Sequence, residues 1–201
     1  MISIIDYGMG NLRSVEKAFA FLGHEAAISS DPATLRESSG IVLPGVGAFG
    51  DAMHELEGRG LIAPLHRAID AGVPLLGICL GYQLFFEESE ESPGVAGLGV
   101  LPGRVIRFPP DVKIPHMGWN DARFLRSHPV LAGVEESSFF YFVHSYYVSP
   151  EDAGDKLTIT AYGLDFASGA ARNRIIGFQF HPEKSSSPGL YLLDNFARWC
   201  G

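Results

Sequence analysis

Val73-Pro74-Leu75-Leu76-Gly77-Ile78-Cys79-Leu80-Gly81-Tyr82-Gln83 is an apolar run that enters a Gly-x-Cys-x-Gly turn and passes into a helical pattern. A short apolar run bounded by such a turn reads as a buried strand. Set between strand and helix, Gly77-x-Cys79-x-Gly81 has the form of a nucleophile elbow with cysteine in place of serine. The turn is sharp and strained, and side chains at its flanking positions would strike the adjoining strand and helix. It lifts the sulfur above the sheet edge, where a helix N-terminus favours the thiolate, the reactive form. The plainer reading is a buried structural cysteine, because free cysteine packs as a small hydrophobe. Strand, elbow and helix in succession favour the nucleophile.

Outward from the elbow, Ile2–Ile5, Glu25–Ser29 and Ile41–Leu43 read as further strands beside Val73–Ile78. Leu12, Val15, Phe19 and Leu22 recur at helical spacing, with Asn11 placed as N-cap and Gly23 as C-cap glycine. Phe49 to Ala71 carries a second helical pattern, broken around Gly58–Gly60 and at Pro64, and Tyr82–Glu88 reads as the helix after the elbow. Strands alternating with helices predict a doubly wound, mostly parallel α/β sheet with helices on both faces. After the Gly- and Pro-rich stretch Gly94–Pro110, the strands Phe139–Val148, Leu157–Tyr162 and Ile175–Phe180 predict added antiparallel strands. Helix returns at Leu190–Trp199. With no repeat and no linker, residues 1–201 read as one domain.

Fifteen Lys and Arg against 23 Asp and Glu give a formal net charge of −8, with no basic cluster. Nucleic acid is therefore not an expected partner. Two cysteines, Cys79 and Cys200, are too few for a disulfide framework and fit a reducing compartment. Met1–Asp6 lacks the basic region of a signal peptide, and Val73–Phe86 is too short to span a bilayer. The expectation is a soluble cytoplasmic protein. The acidic run Glu87, Glu88, Glu90, Glu91 reads as a solvated helix end and loop.

A thiol nucleophile needs a base, and the base an orienting group. One of the seven histidines has a carboxylate placed to serve, in Gln179-Phe180-His181-Pro182-Glu183. Strand alternation puts Gln179, His181 and Glu183 on one side, and Pro182 keeps His181 extended. Glu183 would then hold one ring nitrogen and leave the other to take a proton from Cys79. Taken alone, the segment is a His-Pro turn with a surface Glu. Pro44-Gly45-Val46-Gly47 follows the third strand on the carboxyl side of the sheet, where open α/β sheets bind ligands. Its small residues let backbone N–H groups reach an oxyanion, with the Leu80 N–H as a second donor. Alone, that segment is a routine strand-to-helix turn.

His24, His54, His66 and His128 have no partner at ligand spacing, and there is no HExxH or CxxC. No metal is expected. Gly8-x-Gly10 is too short for a dinucleotide fingerprint, and no cofactor is expected. His116, in Ile114-Pro115-His116-Met117-Gly118-Trp119-Asn120, reads as functional or as packed.

Gly77-Ile-Cys79-Leu-Gly81-Tyr-Gln83 with His181-Pro182-Glu183 resembles the class I (triad) glutamine amidotransferases, and the resemblance covers essentially the whole chain. Asp6–Leu12, Pro44–Phe49, Pro115–Asn120 and Tyr141–Tyr147 are similar to the corresponding segments in glutaminase subunits of imidazole glycerol phosphate synthases. The resemblance implies a flavodoxin-like sheet and hydrolysis of glutamine to glutamate and ammonia. It implies Cys79 as nucleophile, His181 as proton shuttle and Glu183 as its orienter, with Gly45, Val46, Gly47 and Leu80 around the oxyanion. It places Gln83, His144, Ser145 and Tyr146 at the substrate's amino-acid end. It also implies a separate (β/α)8 cyclase as heterodimer partner, faced by Asn11 and Lys184. That cyclase would use the ammonia to make imidazole glycerol phosphate and an aminoimidazole carboxamide ribonucleotide in histidine biosynthesis. For Asn11 the alternative is an N-cap, and for Lys184 a solvated lysine. Two other readings stay open: a cysteine hydrolase or glutaminase of another pathway, and a non-catalytic module that keeps the fold.

Overall fold

The computed structural model describes residues 1–201. The first half runs β1 (Ile2–Ile5), α1 (Leu12–Phe21), β2 (Ala26–Ser29), α2 (Thr34–Glu37), β3 (Gly40–Gly45), α3 (Phe49–Gly58), α4 (Ile62–Asp70), β4 (Leu75–Cys79) and the single turn α5 (Leu80–Gln83). The second half holds β5 (Glu88–Ser89), β6 (Gly103–Arg107), β7 (His116–Asp121), β8 (Arg123–Phe124), β9 (Phe139–His144), β10 (Tyr146–Pro150), β11 (Lys156–Ala161), β12 (Asp165–Arg172), β13 (Ile175–Phe178) and the closing helix α6 (Ser186–Cys200).

The main sheet has eleven strands, with the order β2-β1-β3-β4-β13-β12-β10-β6-β5, and β11 and β8 branch from β12. From β2 through β13 every pairing is parallel. From β13 to β6 the neighbours are antiparallel. Every residue of β1, β3, β4 and β13 is buried, as expected for parallel strands covered on both faces. Strand alternation sorts the apolar side chains between two cores. Ile2, Ile4, Val42, Leu76 and Ile78 pack with Val15, Phe19, Leu192 and Phe196 of α1 and α6. Ile5, Ile41, Leu43 and Leu75 pack with Met53, Leu56 and Leu65 of α3 and α4. Helices thus cover both faces, and no helix is long and apolar enough to cross a membrane.

Several expected elements differ. Phe139–Val148 is not one strand: it breaks at Ser145, where β9 joins β7 in a separate two-stranded ribbon and β10 enters the main sheet. The helix expected over Tyr82–Glu88 is absent, because α5 ends at Gln83. The carbonyls of Leu84, Phe85 and Phe86 accept instead from the N–H groups of Leu98, Val100 and Gly99. The helical macrodipole behind Cys79 is therefore that of one turn. Pro64 lies in the first turn of α4, where its missing N–H costs no hydrogen bond, so only Gly58–Gly60 breaks the pattern. Asn11 occupies the N-cap position of α1 but makes no side-chain capping bond. Helix α6 starts at Ser186 rather than Leu190, with Pro188 tolerated in its first turn. Strand β12, Asp165-Phe-Ala-Ser-Gly-Ala-Ala-Arg172, was not expected. It is built mainly from small residues, and at Gly169 there is no room for more: a Cβ there would lie 2.7 Å from Thr158 Oγ1 and 2.9 Å from Phe178.

Candidate active site

Cys79 ends β4 with φ 56° and ψ −109°, a conformation that β-carbon-bearing residues seldom adopt. Strain of this kind persists only where neighbours over-determine it. Here the glycines do so. A Cβ on Gly81 would run into the Leu43 carbonyl, and one on Gly77 would lie 2.8 Å from Tyr82 Cα. The elbow expected from the sequence is thus present, fixed by close backbone packing.

Gly45 is the register partner of Cys79 across β3 and β4, so the Gly45–Gly47 segment leaves its strand beside the sulfur. Tyr7, fully buried, donates its hydroxyl hydrogen to the Pro44 carbonyl at 2.8 Å and fixes the base of that segment. Burial pushes the Tyr7 phenol well above its ordinary range, with the charge of Cys79 adding to the shift, so it serves as a donor.

The His181–Glu183 pairing arises differently from the expected strand alternation. Strand β13 stops at Phe178, and Pro182–Lys184 forms one turn of 3₁₀ helix that folds Glu183 back onto His181. His181 Nδ1 lies 2.8 Å from Glu183 Oε1, with the two side chains 2% and 1% exposed. His181 Nε2 is buried without a partner in strict hydrogen-bond geometry. Burial alone would lower the His181 pKa. The charge of Cys79, together with the bond and charge of Glu183, outweighs that and pushes it up to about 10. The three residues, remote in sequence, therefore act on one another. The segment is tied to β9 by His181 N–H donating to the Tyr141 carbonyl at 2.9 Å, and by Ser185, which donates to the His181 carbonyl and accepts from Tyr141 N–H.

A cavity of about 400 Å³ opens over the sulfur. Val46, Gly47, Leu80, Gln83, His144, Ser145 and Tyr146 all line it, with Cys79 at its base. Gln83 Nε2 donates to the Tyr146 carbonyl at 3.0 Å and to Gln179 Oε1 at 2.9 Å. Gln179, fully buried, offers a long N–H contact to Cys79 Sγ at 3.9 Å. Sequence reasoning missed Glu91. Read as part of a solvated acidic run, it also lines the cavity, its carboxylate accepting from Phe49 N–H at 2.7 Å. Only the fold of the Glu88–Gly97 loop over α3 reveals that. Asn11 and Lys184 lie outside the cavity, both exposed, with Lys184 Nζ 6.0 Å from the centre of the Tyr141 ring.

Residues 3–199 match the family model "Glutamine amidotransferase class-I". Solved structures agree on the fold: a chain titled "Crystal structure of glutamine amidotransferase" superposes with a TM-score of 0.77 at 21% identity, covering 97% of this chain and 98% of the other. A chain of "Structure of PurLQS from Thermotoga maritima" gives 0.77 at 15% identity, covering 100% and 98%. The chain belongs to the class I glutamine amidotransferases. Within that class it groups with "Imidazole glycerol phosphate synthase subunit HisH". The Moorella thermoacetica protein of that name is 51% identical over 97% of this chain and 93% of its own. That of Aquifex aeolicus is 52% identical over 97% and 95%.

Proposed function

We propose that Cys79, His181 and Glu183 carry out the glutaminase half-reaction of imidazole glycerol phosphate synthase, the place in histidine biosynthesis that HisH membership gives the chain. Cys79 Sγ attacks the side-chain amide carbon of glutamine. His181 Nε2 takes the thiol proton and passes it to the departing nitrogen, so ammonia leaves and a γ-glutamyl thioester remains. Water, deprotonated by the same nitrogen, then attacks the thioester and releases glutamate. Glu183 holds the ring orientation and stabilises the imidazolium. N–H groups of the Gly45-Val46-Gly47 segment and of Leu80 receive the oxyanion. Gln83, His144, Ser145 and Tyr146 hold the amino-acid end, and the Glu91 carboxylate suits its ammonium group. The observation that carries this reading is the 2.8 Å His181–Glu183 contact, which leaves Nε2 unpaired beside the strained Cys79.

The partner is a (β/α)8 cyclase that docks over the cavity mouth as the other half of a heterodimer. Pro115 and Val143 line the cavity and belong to the β7–β9 ribbon and its approach. That ribbon exposes Met117 (62%), Trp119 (52%) and Phe139 (58%), more apolar surface than isolated chance exposure explains. Lys184 lies against Tyr141 of that ribbon, and it and the exposed Asn11 would border the ammonia route. The site is the cytoplasm, where Cys79 stays reduced.

The test is the two-subunit enzyme carrying Cys79→Ala. Glutamine-dependent turnover is lost, while the cyclase reaction proceeds with added ammonium salt. Glutamine turnover retained in that variant overturns the triad.

A further inference from the structure

His116 is 3% exposed and touches neither the sulfur nor the cavity. It is the cross-strand partner of His144 in the β7–β9 ribbon, and the two rings meet edge to face. His116 Nδ1 lies 2.9 Å from His144 Nε2. His144 Nδ1 lies 2.7 Å from the Tyr146 carbonyl, and Asn120 Nδ2 lies 3.3 Å from His116 Nε2.

The direction of this chain follows from its ends. A carbonyl only accepts, so His144 Nδ1 carries the hydrogen. Neutral His144 then has a lone pair at Nε2, which must accept from His116 Nδ1–H. His116 Nε2 is left to accept from the Asn120 amide, which also donates to the Ala161 carbonyl at 3.0 Å. Every link has one donor and one acceptor, and both rings are Nδ1–H tautomers. An extra proton on either ring would set two donors against each other. Burial enforces neutrality, pushing His144 down to about 3 and His116 to about 4. Aromatic faces clamp the His116 ring: Phe142 stacks on it at 4.8 Å and Tyr162 at 4.0 Å.

The chain ends where the strand breaks. Ser145 separates β9 from β10, and the Tyr146 carbonyl at that break also accepts from Gln83 Nε2. One oxygen therefore joins His144 to Gln83, both of which line the cavity. We propose that His116 is a positioning residue for glutamine binding: through His144 it fixes the Tyr146 carbonyl, and with it the 144–146 segment and Gln83. This deepens the proposed function and rests on glutamine occupying that cavity. The role is orientation of the amino-acid end, remote from the bonds that change.

The experiment has two arms. Side-chain ¹⁵N NMR of the full chain at neutral pH assigns the tautomers without any assay of activity. His116 and His144 both appear as neutral Nδ1–H rings, and an Nε2–H or doubly protonated His144 overturns the proposal. In the two-subunit enzyme, His116→Phe keeps the aromatic stack but removes the donor, and His116→Asn restores an N–H near Nδ1. The Phe variant raises the KM for glutamine about tenfold, the loss of one hydrogen bond to a buried neutral acceptor, with kcat within about threefold. The Asn variant returns KM toward the wild-type value. A His116→Phe enzyme with unchanged KM, a loss confined to kcat, or an Asn variant as defective as Phe contradicts the proposal. Failure of the glutaminase reading itself is distinct, because the wild-type enzyme would then release no glutamate while the tautomers stand.

Discussion

Leu43 and Gly81 are in contact across the two strand–turn units of the site: the Leu43 carbonyl fills the space that a side chain on Gly81 would need. The approach sets how closely the elbow of β4 sits against β3, and so how near the Gly45–Gly47 segment comes to Cys79. The elbow glycines are thus required by packing between neighbouring strands as much as by the turn itself.

Gly81→Ala forces a methyl group into that backbone oxygen, which has no rotamer to escape by. Overpacking of this kind costs about 1–3 kcal/mol. The melting temperature of the isolated chain is expected to fall by about 2–12 °C, and glutaminase activity to fall further as the elbow shifts. Thermal unfolding followed by circular dichroism checks it. An unchanged melting temperature would mean the strands separate freely.

His181 is expected to titrate far above the ordinary imidazole value, near about 10 rather than 6.5. The sign follows from its surroundings. Burial opposes the charged ring, but Cys79 and Glu183 favour it more strongly. Removing the sulfur in Cys79→Ala leaves burial less opposed, so the midpoint moves to lower pH. Histidine NMR titration of the wild type and the variant measures both. A wild-type midpoint at the free-imidazole value, or one unmoved by the substitution, would contradict the coupling.

Trp119 is half exposed on the ribbon opposite Tyr141, its indole meeting that ring edge to face at 6.1 Å. Trp119→Ala is expected to cost the chain about 0.5–1.5 kcal/mol of stability, the worth of its one aromatic pair. Binding of the cyclase partner should weaken by about 2 kcal/mol or more, roughly thirtyfold, as for a buried interface anchor. Calorimetric titration with the partner reads the second quantity. Unaltered affinity would move the docking face elsewhere.

Much of this was legible in the sequence where one local rule decides. The parallel strands were readable because short apolar runs sit between glycines and helical repeats, and the elbow because Gly77 and Gly81 frame Cys79 at fixed spacing. The rest depended on tertiary contacts. In strand β12, Gly169 is held to glycine by Thr158 and Phe178, which no propensity scale reports. The break at Ser145 divides one aromatic run between two sheets, and the run itself gives no sign of it. Glu91 looks like its solvated neighbours until the chain folds over α3 and presents it to Phe49 N–H. Glu183 reached His181 by a 3₁₀ turn rather than by alternation: the expected pair was met through a different backbone path.

The central claim is that the Cys79 sulfur bonds covalently to the substrate. Rapid acid quenching of the two-subunit enzyme during glutamine turnover, followed by peptide mass spectrometry, tests it directly. The account predicts a γ-glutamyl thioester on the peptide carrying Cys79, lost together with turnover in Cys79→Ala. An adduct on another residue, or undiminished glutamate release by the variant, would contradict it.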